Sequence, residues 1–153
     1  SLFKNITSNF ILKSGDYLSI SNLKIDLETS RTLVKVNKNH FESKVIECFK
    51  GPELEALDIH QQKILFETEF SVSKDINRMG YKLNEILENN MPSILTSAVL
   101  PGTVQLTPSG KLIVLMRDCP VTGGYPRVLH VSEESINRLS QKTTGDKFQF
   151  VLQ

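Results

Sequence analysis

The stretch from Leu100 to Pro126 constrains the fold of this chain more than any other part of the sequence. Pro-Gly, Ser-Gly and Gly-Gly pairs mark turns within it, and the run Lys111–Met116 lies between the last two of these pairs. That run is too short for a helix, is rich in β-branched residues and is apolar on both faces. We therefore predict a strand that is buried on both sides and leads into a glycine-rich loop. Loops on a rigid scaffold are common places for binding groups.

The composition favours one globular domain and excludes several classes of protein. With 153 residues the chain can bury a sizeable core, and we expect a single domain over residues 1–153. Its 18 basic and 17 acidic residues nearly cancel, so the basic surface typical of a nucleic-acid-binding protein is missing. No apolar run approaches the ~18 residues that a membrane-spanning helix needs. We therefore expect neither nucleic acid nor a membrane as a partner.

Cysteine and histidine usage gives no sign of a metal site. Cys48 and Cys119 are far apart in sequence, and the three histidines are isolated from them and from each other. Metal ligands usually come as cysteine or histidine pairs at short spacing, so we expect no metal. A disulfide is possible on number alone, but two free thiols in a reducing cytoplasm suit a chain of this kind better. Cys119 has no histidine nearby in sequence to activate it as a nucleophile.

Hydrophobic periodicity and turn residues predict short strands and two helices. Ser132 followed by two glutamates is typical of a helix start, and Gly145-Asp146 marks a turn before the final strand. Residues 85–94 are turn-like. The predicted strands cover residues 10–12, 17–20, 32–36, 44–49, 66–72, 94–99, 101–106, 111–116, 127–131 and 147–152, and the predicted helices, the first short or split, cover 53–66 and 132–141. This pattern indicates an α+β fold, mostly β, with a largely antiparallel sheet that closes on itself.

Three segments resemble the carboxyltransferase-like family (subdomains A and B). That family includes the C-type subunit of 5-oxoprolinase, allophanate hydrolase subunit 2, the carboxyltransferase part of urea amidolyase, and a bacterial antagonist of a sporulation-kinase inhibitor. The matching residues are Pro101–Gln105, Pro108, Gly110, Ile113–Met116, Asp118 and Thr122–Pro126, then Arg78–Tyr81 with Leu83, and Leu12, Gly15, Asp16 and Leu18. The chain departs from the family's motifs at Ile76 and Asn77, where relatives have serine and aspartate, and at Cys119, Pro120 and Val121.

The resemblance implies a fold and a function. The element around Gly15 and Asp16 lies near the middle of full-length relatives, so the chain resembles the C-terminal half of a carboxyltransferase-like subunit, folded as a cyclophilin-like closed β-barrel with about two short helices. The implied role is that of an ATP-dependent amidohydrolase subunit of the 5-oxoprolinase type. Such a subunit opens a small cyclic amide together with a sister-family partner, which is the B-type subunit of 5-oxoprolinase or resembles allophanate hydrolase subunit 1. The isolated half is expected to be inactive.

Two alternatives remain open from the same resemblance. One is a subunit of an allophanate- or urea-metabolising hydrolase, and the other is a non-catalytic module that binds and antagonises a kinase inhibitor. ATP is implied by the resemblance alone, and biotin is used by some relatives. The sequence itself shows neither a Walker-type phosphate loop nor a biotin-attachment motif.

The candidate site residues come from the matching motifs. Asp118 directly follows the buried strand, a position that suits a catalytic base or a substrate-orienting carboxylate, although an aspartate there can equally cap its own loop. An arginine can hold an anion, a glutamine amide can pair with a urea-like or lactam group, and consecutive glycines expose backbone N–H groups. We expect Asp118 and Arg78 to face one pocket at the mouth of the barrel. The predicted substrate-binding residues are Arg78, Tyr81, Gln105, Thr122, Gly123, Gly124 and Tyr125.

Overall fold

A computed structural model of the chain describes Ser14, Gly15, Tyr17 and residues 42–153. The chain divides into two units, residues 1–36 and 37–153, and every element given below belongs to the second unit. The strands predicted over residues 10–12 and 32–36 lie outside the described residues, as do residues 18–20 of a third. A single domain over residues 1–153 therefore stays a prediction.

Nine strands and two helices follow one another along residues 42–153. The strands are β1 (Val45–Lys50), β2 (Phe70–Ile76), β3 (Gly80–Ile86), β4 (Ser97–Ala98), β5 (Thr103–Leu106), β6 (Lys111–Leu115), β7 (Thr122–Gly123), β8 (Arg127–Val131) and β9 (Lys147–Leu152). The helices are α1 (Ile59–Glu67) and α2 (Glu133–Leu139), and a 3-10 turn covers Leu54–Ala56. None of the described helices is long and apolar enough to cross a membrane.

Seven of the strands close into a barrel in the order β1-β8-β5-β6-β3-β2-β9. Every neighbouring pair in that order is antiparallel, and the barrel closes where β9 runs parallel to β1. The remaining strands, β4 and β7, form a two-stranded ribbon of their own. The prediction of a mostly β fold with a closed barrel and two helices is confirmed.

The core lies inside the barrel because apolar residues alternate along its strands. In β6, Leu112 and Val114 are fully buried in this core. Leu115 is also buried, whereas Ile113 is half-buried, so the predicted burial of both faces of this strand is complete on one face only. Phe150 makes tilted and edge-on ring contacts with Phe70 and Phe148, at centroid separations of 5.5 and 5.3 Å.

Helix α1 begins where a capping box defines its first turn. The Asp58 side chain accepts a hydrogen bond from the backbone N–H of Gln61, whose side chain accepts one from the backbone N–H of Asp58. The 3-10 turn precedes this cap, so the predicted split of the first helix is confirmed. The predicted start of the strand over residues 66–72 was wrong. The Thr68 N–H still donates to Ile64 O at the end of the helix, and β2 begins only at Phe70.

Strand β3 was missed by the sequence analysis, which treated residues 85–94 as a turn and assigned no strand to residues 80–86. Leu83 is its one fully buried residue and Ile86 at its end is exposed, so its sequence lacks a regular apolar alternation. The pairing register with β6 also shifts between Lys82 and Ile86. Conversely, the strand predicted over residues 94–99 shrinks to Ser97–Ala98. Helix α2 starts at the predicted Ser132 cap, whose Oγ accepts from Ser135 N, but it ends at Leu139.

Candidate functional site

Two cavities lie on either side of the turn that joins β2 to β3. Asn77 holds that turn, because its Oδ1 accepts hydrogen bonds from the backbone N–H groups of Met79 and Gly80 at 2.8 and 3.1 Å. The first, which we call the mouth cavity, lies at one end of the barrel and has a volume of about 470 Å³. It is lined by Ile76, Asn77, Arg78, Tyr81, Met116, Arg117, Asp118 and Ser140.

The second, which we call the outer cavity, has a volume of about 630 Å³ and lies on the outer face of the sheet. Lys82, Ile113 and Gln105 are paired across β3, β6 and β5, and their strand neighbours Leu83 and Val114 point into the core. Successive residues of a strand face opposite sides, so these three face outward. The cavity is lined by Lys74, Asp75, Ile76, Asn77, Met79, Gly80, Lys82, Gln105, Ile113, Leu115 and Pro120.

Arg78 and Asp118 meet at the rim of the mouth cavity. The Arg78 Nε atom lies 3.3 Å from Asp118 Oδ2, and the Asp118 backbone N–H donates to the Arg78 carbonyl at 3.0 Å. Their side chains are 91% and 51% exposed, so the ion pair itself contributes little to stability. The structure thus brings together two residues that lie far apart in the sequence, and leaves both accessible to a ligand.

Tyr81 and Arg117 complete the polar part of the mouth cavity in different ways. Tyr81 packs against the barrel core while lining the cavity. The guanidinium of Arg117 is already held on α2, where it donates to both carboxylate oxygens of Glu133 at 3.1 and 2.5 Å and to Asn137 Oδ1. The same hydrogen bonds hold the pKa of Glu133 below its usual value. Arg117 therefore ties the end of β6 to α2, and Arg78 is the better-placed arginine for a ligand.

Gln105 belongs to the outer cavity and not to the mouth cavity. The residue is 5% exposed, and its Nε2 atom has no hydrogen-bond partner among the described residues. Gly123 lies directly against this amide, because a Cβ atom at that position would overlap Gln105 Nε2. The close approach of Gly123 places the ribbon over Gln105.

The glycine-rich loop is a ribbon strand and not an open phosphate cradle. Thr122 and Gly123 form β7, and the Gly124 carbonyl accepts from Ile94 N at 3.0 Å. Gly124 does not have a positive φ. Thr122, Gly123, Gly124 and Tyr125 line neither the mouth cavity nor the outer cavity. The seven predicted substrate-binding residues therefore fall into three places: the mouth cavity, the outer cavity and the ribbon.

Sequence analysis missed the contact that holds this loop in place. Arg127 donates to Glu53 from its backbone N–H, Nε and terminal nitrogen at 2.8, 3.0 and 2.7 Å, and also to the Ala98 carbonyl at 3.1 Å. The two side chains are only 21% and 22% exposed. Glu53 follows Gly51-Pro52 and was assigned to a helix start, so its sequence position gave no sign of a partner on β8.

Neither cysteine has the environment of an activated nucleophile. Both are free thiols; burial raises the pKa of Cys48 to about 12 and also raises the pKa of the half-buried Cys119. Thiolate is the reactive form, so a raised pKa lowers reactivity at neutral pH. Among residues 42–153 no group of three or more His, Cys, Asp or Glu side chains is arranged to hold a metal ion.

One family of known proteins matches nearly the whole sequence. The family described as carboxyltransferase domain, subdomain A and B, matches residues 6–152. The C-type subunit of 5-oxoprolinase from Escherichia coli (strain K12) is 34% identical over 143 residues, which are 92% of this chain and 45% of that protein. The subunit of the same name from Haemophilus influenzae is 32% identical over 108 residues, 69% of this chain and 35% of that protein. The chain thus spans less than half the length of these relatives.

Two solved structures share the fold described above. TTHA0988 superposes with a TM-score of 0.62 at 25% sequence identity. The match covers 72% of this chain and 22% of the TTHA0988 chain. The urea amidolyase of K. lactis superposes with a TM-score of 0.63 at 19% sequence identity. That match covers 78% of this chain and 8% of the urea amidolyase chain. At that identity the second match supports the fold alone.

Proposed function

The chain belongs to the carboxyltransferase domain family, subdomains A and B, and from this we propose that it is the C-terminal part of a 5-oxoprolinase-type subunit. In this proposal it acts in the cytoplasm with a sister-family partner subunit, on a small substrate whose cyclic amide is opened at the expense of ATP. The observation that carries the proposal is the 34% identity to the C-type subunit of 5-oxoprolinase from Escherichia coli over 92% of the chain.

The mouth cavity supplies the chemistry that this proposal needs. Asp118 is a half-exposed carboxylate at the cavity rim and can accept a proton from a water molecule or from an amide nitrogen. Arg78 has five N–H donors, more than the single contact to Asp118 uses, so it can hold an anionic group of the substrate at the same time. Tyr81, on the inner wall, supplies a hydroxyl beside the apolar part of the cavity.

The residues around the mouth cavity do not fit ATP as a resident cofactor. Its walls are largely apolar, and the two glycines of the ribbon do not line it; Gly123 is packed against Gln105. We therefore derive no step of the reaction through ATP, and the same holds for biotin, because the sequence carries no biotin-attachment motif.

The test is to express the full subunit with its sister-family partner and to assay ATP-dependent opening of 5-oxoproline. We expect the two to co-purify, and Asp118→Asn to lower turnover by roughly 10²-fold at unchanged melting temperature. Arg78→Lys should act mainly on KM, because it keeps the charge and loses the planar fork. Glu67→Gln, an exposed carboxylate paired with Lys63, is the matched control and should leave turnover unchanged. Undiminished turnover in Asp118→Asn would remove that residue from the mechanism.

A regulatory interaction module is the second candidate. It is favoured by the departures at Ile76, Asn77 and Cys119 and by the exposure of Leu95 and Val121, which are 94% and 80% exposed beside the ribbon. The same experiment separates the two functions. A stable complex without any turnover, in a preparation where the Escherichia coli proteins are active, would favour the regulatory role.

A further inference from the structure

The outer cavity is a trough with apolar residues on its floor and on both banks. Its floor is β6, where Ile113 is half-buried and Leu115 is buried. One bank is the turn between β2 and β3, from which Met79 lines the trough with 51% of its surface exposed. The other bank is the segment that leads into β7, where Pro120 lines the trough.

This apolar surface continues from the trough onto one end of the ribbon. Val121 directly follows Pro120 and is 80% exposed. Ala98 pairs with Thr122, so Leu100 and Pro120, each two residues further along, lie at the same end of the ribbon, and Leu100 is 65% exposed. Contiguous exposed apolar patches bordered by polar residues are typical of protein–protein interfaces. We define the trough surface as Met79, Leu100, Ile113, Leu115, Pro120 and Val121.

The polar groups along the trough are engaged within the protein itself. Lys82 Nζ lies 3.4 Å from Asp75 Oδ2, and Asn77 Oδ1 holds the turn between β2 and β3. Gln105 is only 5% exposed and is covered by Gly123. A small polar ligand would therefore find few groups to orient it. An apolar side chain of another protein needs no such groups, because burial of its surface drives the contact.

The charge at the rim of the trough indicates what kind of protein docks there. Lys74 is exposed and makes no hydrogen bond or ion pair with the other described residues. Asp75 is the one acidic residue that lines the trough, and it is paired with Lys82, so the rim keeps a positive charge. Rim charges mainly increase the association rate. A higher rate helps two separate chains to meet and is of no use to two parts of one chain, so the rim favours a separate, acidic partner.

We propose that the trough surface is where a separate partner subunit docks, with an apolar side chain seated over Ile113 and an acidic residue beside it facing Lys74. This inference rests on the function proposed above, in which the partner is the sister-family subunit. The trough and the mouth cavity lie on either side of the turn between β2 and β3, so the docked subunit contacts Met79, next to Arg78, and leaves the mouth cavity free for substrate.

The first test is the affinity of the full subunit for its sister-family partner, measured by biolayer interferometry. Val121→Asp should weaken binding by about tenfold or more, because it places a charge in an apolar contact. Ile59→Asp is the matched control: Ile59 is 86% exposed on α1 and lines neither cavity, so its replacement should leave the affinity unchanged. Lys74→Glu should slow association severalfold at low salt, and the difference should vanish at high salt.

The second test is the protection of a thiol introduced by Val121→Cys into a Cys119→Ser background. Maleimide labelling, located by mass spectrometry, should modify this thiol rapidly in the full subunit alone and much more slowly once the partner is bound. The measurement stands even if Val121→Asp does not fold. A thiol already protected in the full subunit alone would mean that the rest of the same polypeptide covers the trough surface, and would overturn the proposal.

The two tests distinguish a wrong docking surface from a wrong function. If the wild-type subunit and its partner form no complex, the two-subunit function fails and the docking surface fails with it. A complex that Val121→Asp leaves intact, or that Ile59→Asp weakens equally, would overturn the docking surface alone. The same holds if the thiol at position 121 stays reactive in the complex.

Discussion

At the scale of single residues, the two adjacent glycines of the ribbon have different tasks. Gly123 has no room for a side chain because a Cβ would overlap the amide of Gln105. Gly124 has room, since the nearest atom to a Cβ there would be Ile94 O at 3.5 Å, and its φ is not positive. A motif that looks uniform in sequence therefore contains one steric requirement and one free position.

This difference predicts opposite effects of the same substitution. Gly123→Ala should lower the free energy of unfolding by about 1–3 kcal/mol, because the ribbon or Gln105 must move to relieve the overlap. Gly124→Ala should leave it unchanged or raise it by up to about 1 kcal/mol, because it restricts the unfolded chain. Urea denaturation of the two variants measures this directly. Equal destabilisation by both would show that the close approach of Gly123 is not what the position requires.

The sequence predicted individual site residues better than it predicted their grouping. Arg78 and Asp118 were expected to face one pocket, and they lie in contact at the mouth cavity, although their chemical roles stay a prediction. Gln105 was placed in the same site, but it stands on β5 with its side chain outward. Which face of a strand a polar residue occupies depends on the register of its neighbours, and a single sequence does not give that register.

At the scale of elements, the Glu53–Arg127 pair joins the segment after β1 to the start of β8. Gly51 allows this approach, because a Cβ there would overlap the Arg127 carbonyl. Arg127 also reaches the Ala98 carbonyl on β4, so one side chain connects β8, the 3-10 turn region and the ribbon. The hydrogen bonds from Arg127 hold the pKa of Glu53 below its usual value.

This pair predicts a pH dependence of stability with a defined sign. Because the pKa of Glu53 is lower in the folded than in the unfolded protein, its contribution is present above the unfolded value of about 4.3 and is lost as the pH falls through the lowered folded value. Glu53→Gln should therefore cost about 2 kcal/mol at pH 7 and much less in acid. Urea denaturation across this pH range measures the difference.

Glu69→Gln is the control for this prediction. Glu69 is also paired, with Lys147 at 3.1 Å, but its side chain is 45% exposed, so solvent screens the interaction. We expect its loss to have a smaller effect at neutral pH. A cost for Glu53→Gln that stays constant from neutral to acid pH would contradict the assignment to the ion pair.

At the scale of the whole molecule, the barrel is closed by β1, which pairs with β8 on one side and with β9 on the other. Cys48 lies in this strand opposite both Val131 and Leu152 and is completely buried. Its thiol is therefore shielded by the pairing that closes the barrel, whereas Cys119 stands in the half-exposed segment after β6.

Thiol labelling predicts two classes of reactivity. In the native protein a thiol-specific disulfide reagent should modify Cys119 slowly and Cys48 hardly at all, because burial raises the pKa of Cys48 to about 12. In denaturant both should react at once. The number of modified thiols against time, with Cys119→Ser as the control, measures this. Equal rates for the two thiols in the native state would mean that β1 opens far more readily than the rest of the barrel.

The parallel pairing of β1 with β9 also bears on how the chain folds. The two strands lie at opposite ends of the described segment, and the contacts between them are among the most distant in sequence of any in the barrel. Closing so long a loop is entropically costly and comes late, so hairpins such as β2–β3 and β5–β6 are expected to form first. Until the last strand has been synthesised, β1 and β2 each keep one unpaired edge. A nascent chain of this protein is consequently most vulnerable to aggregation after β8 and before β9 has been synthesised.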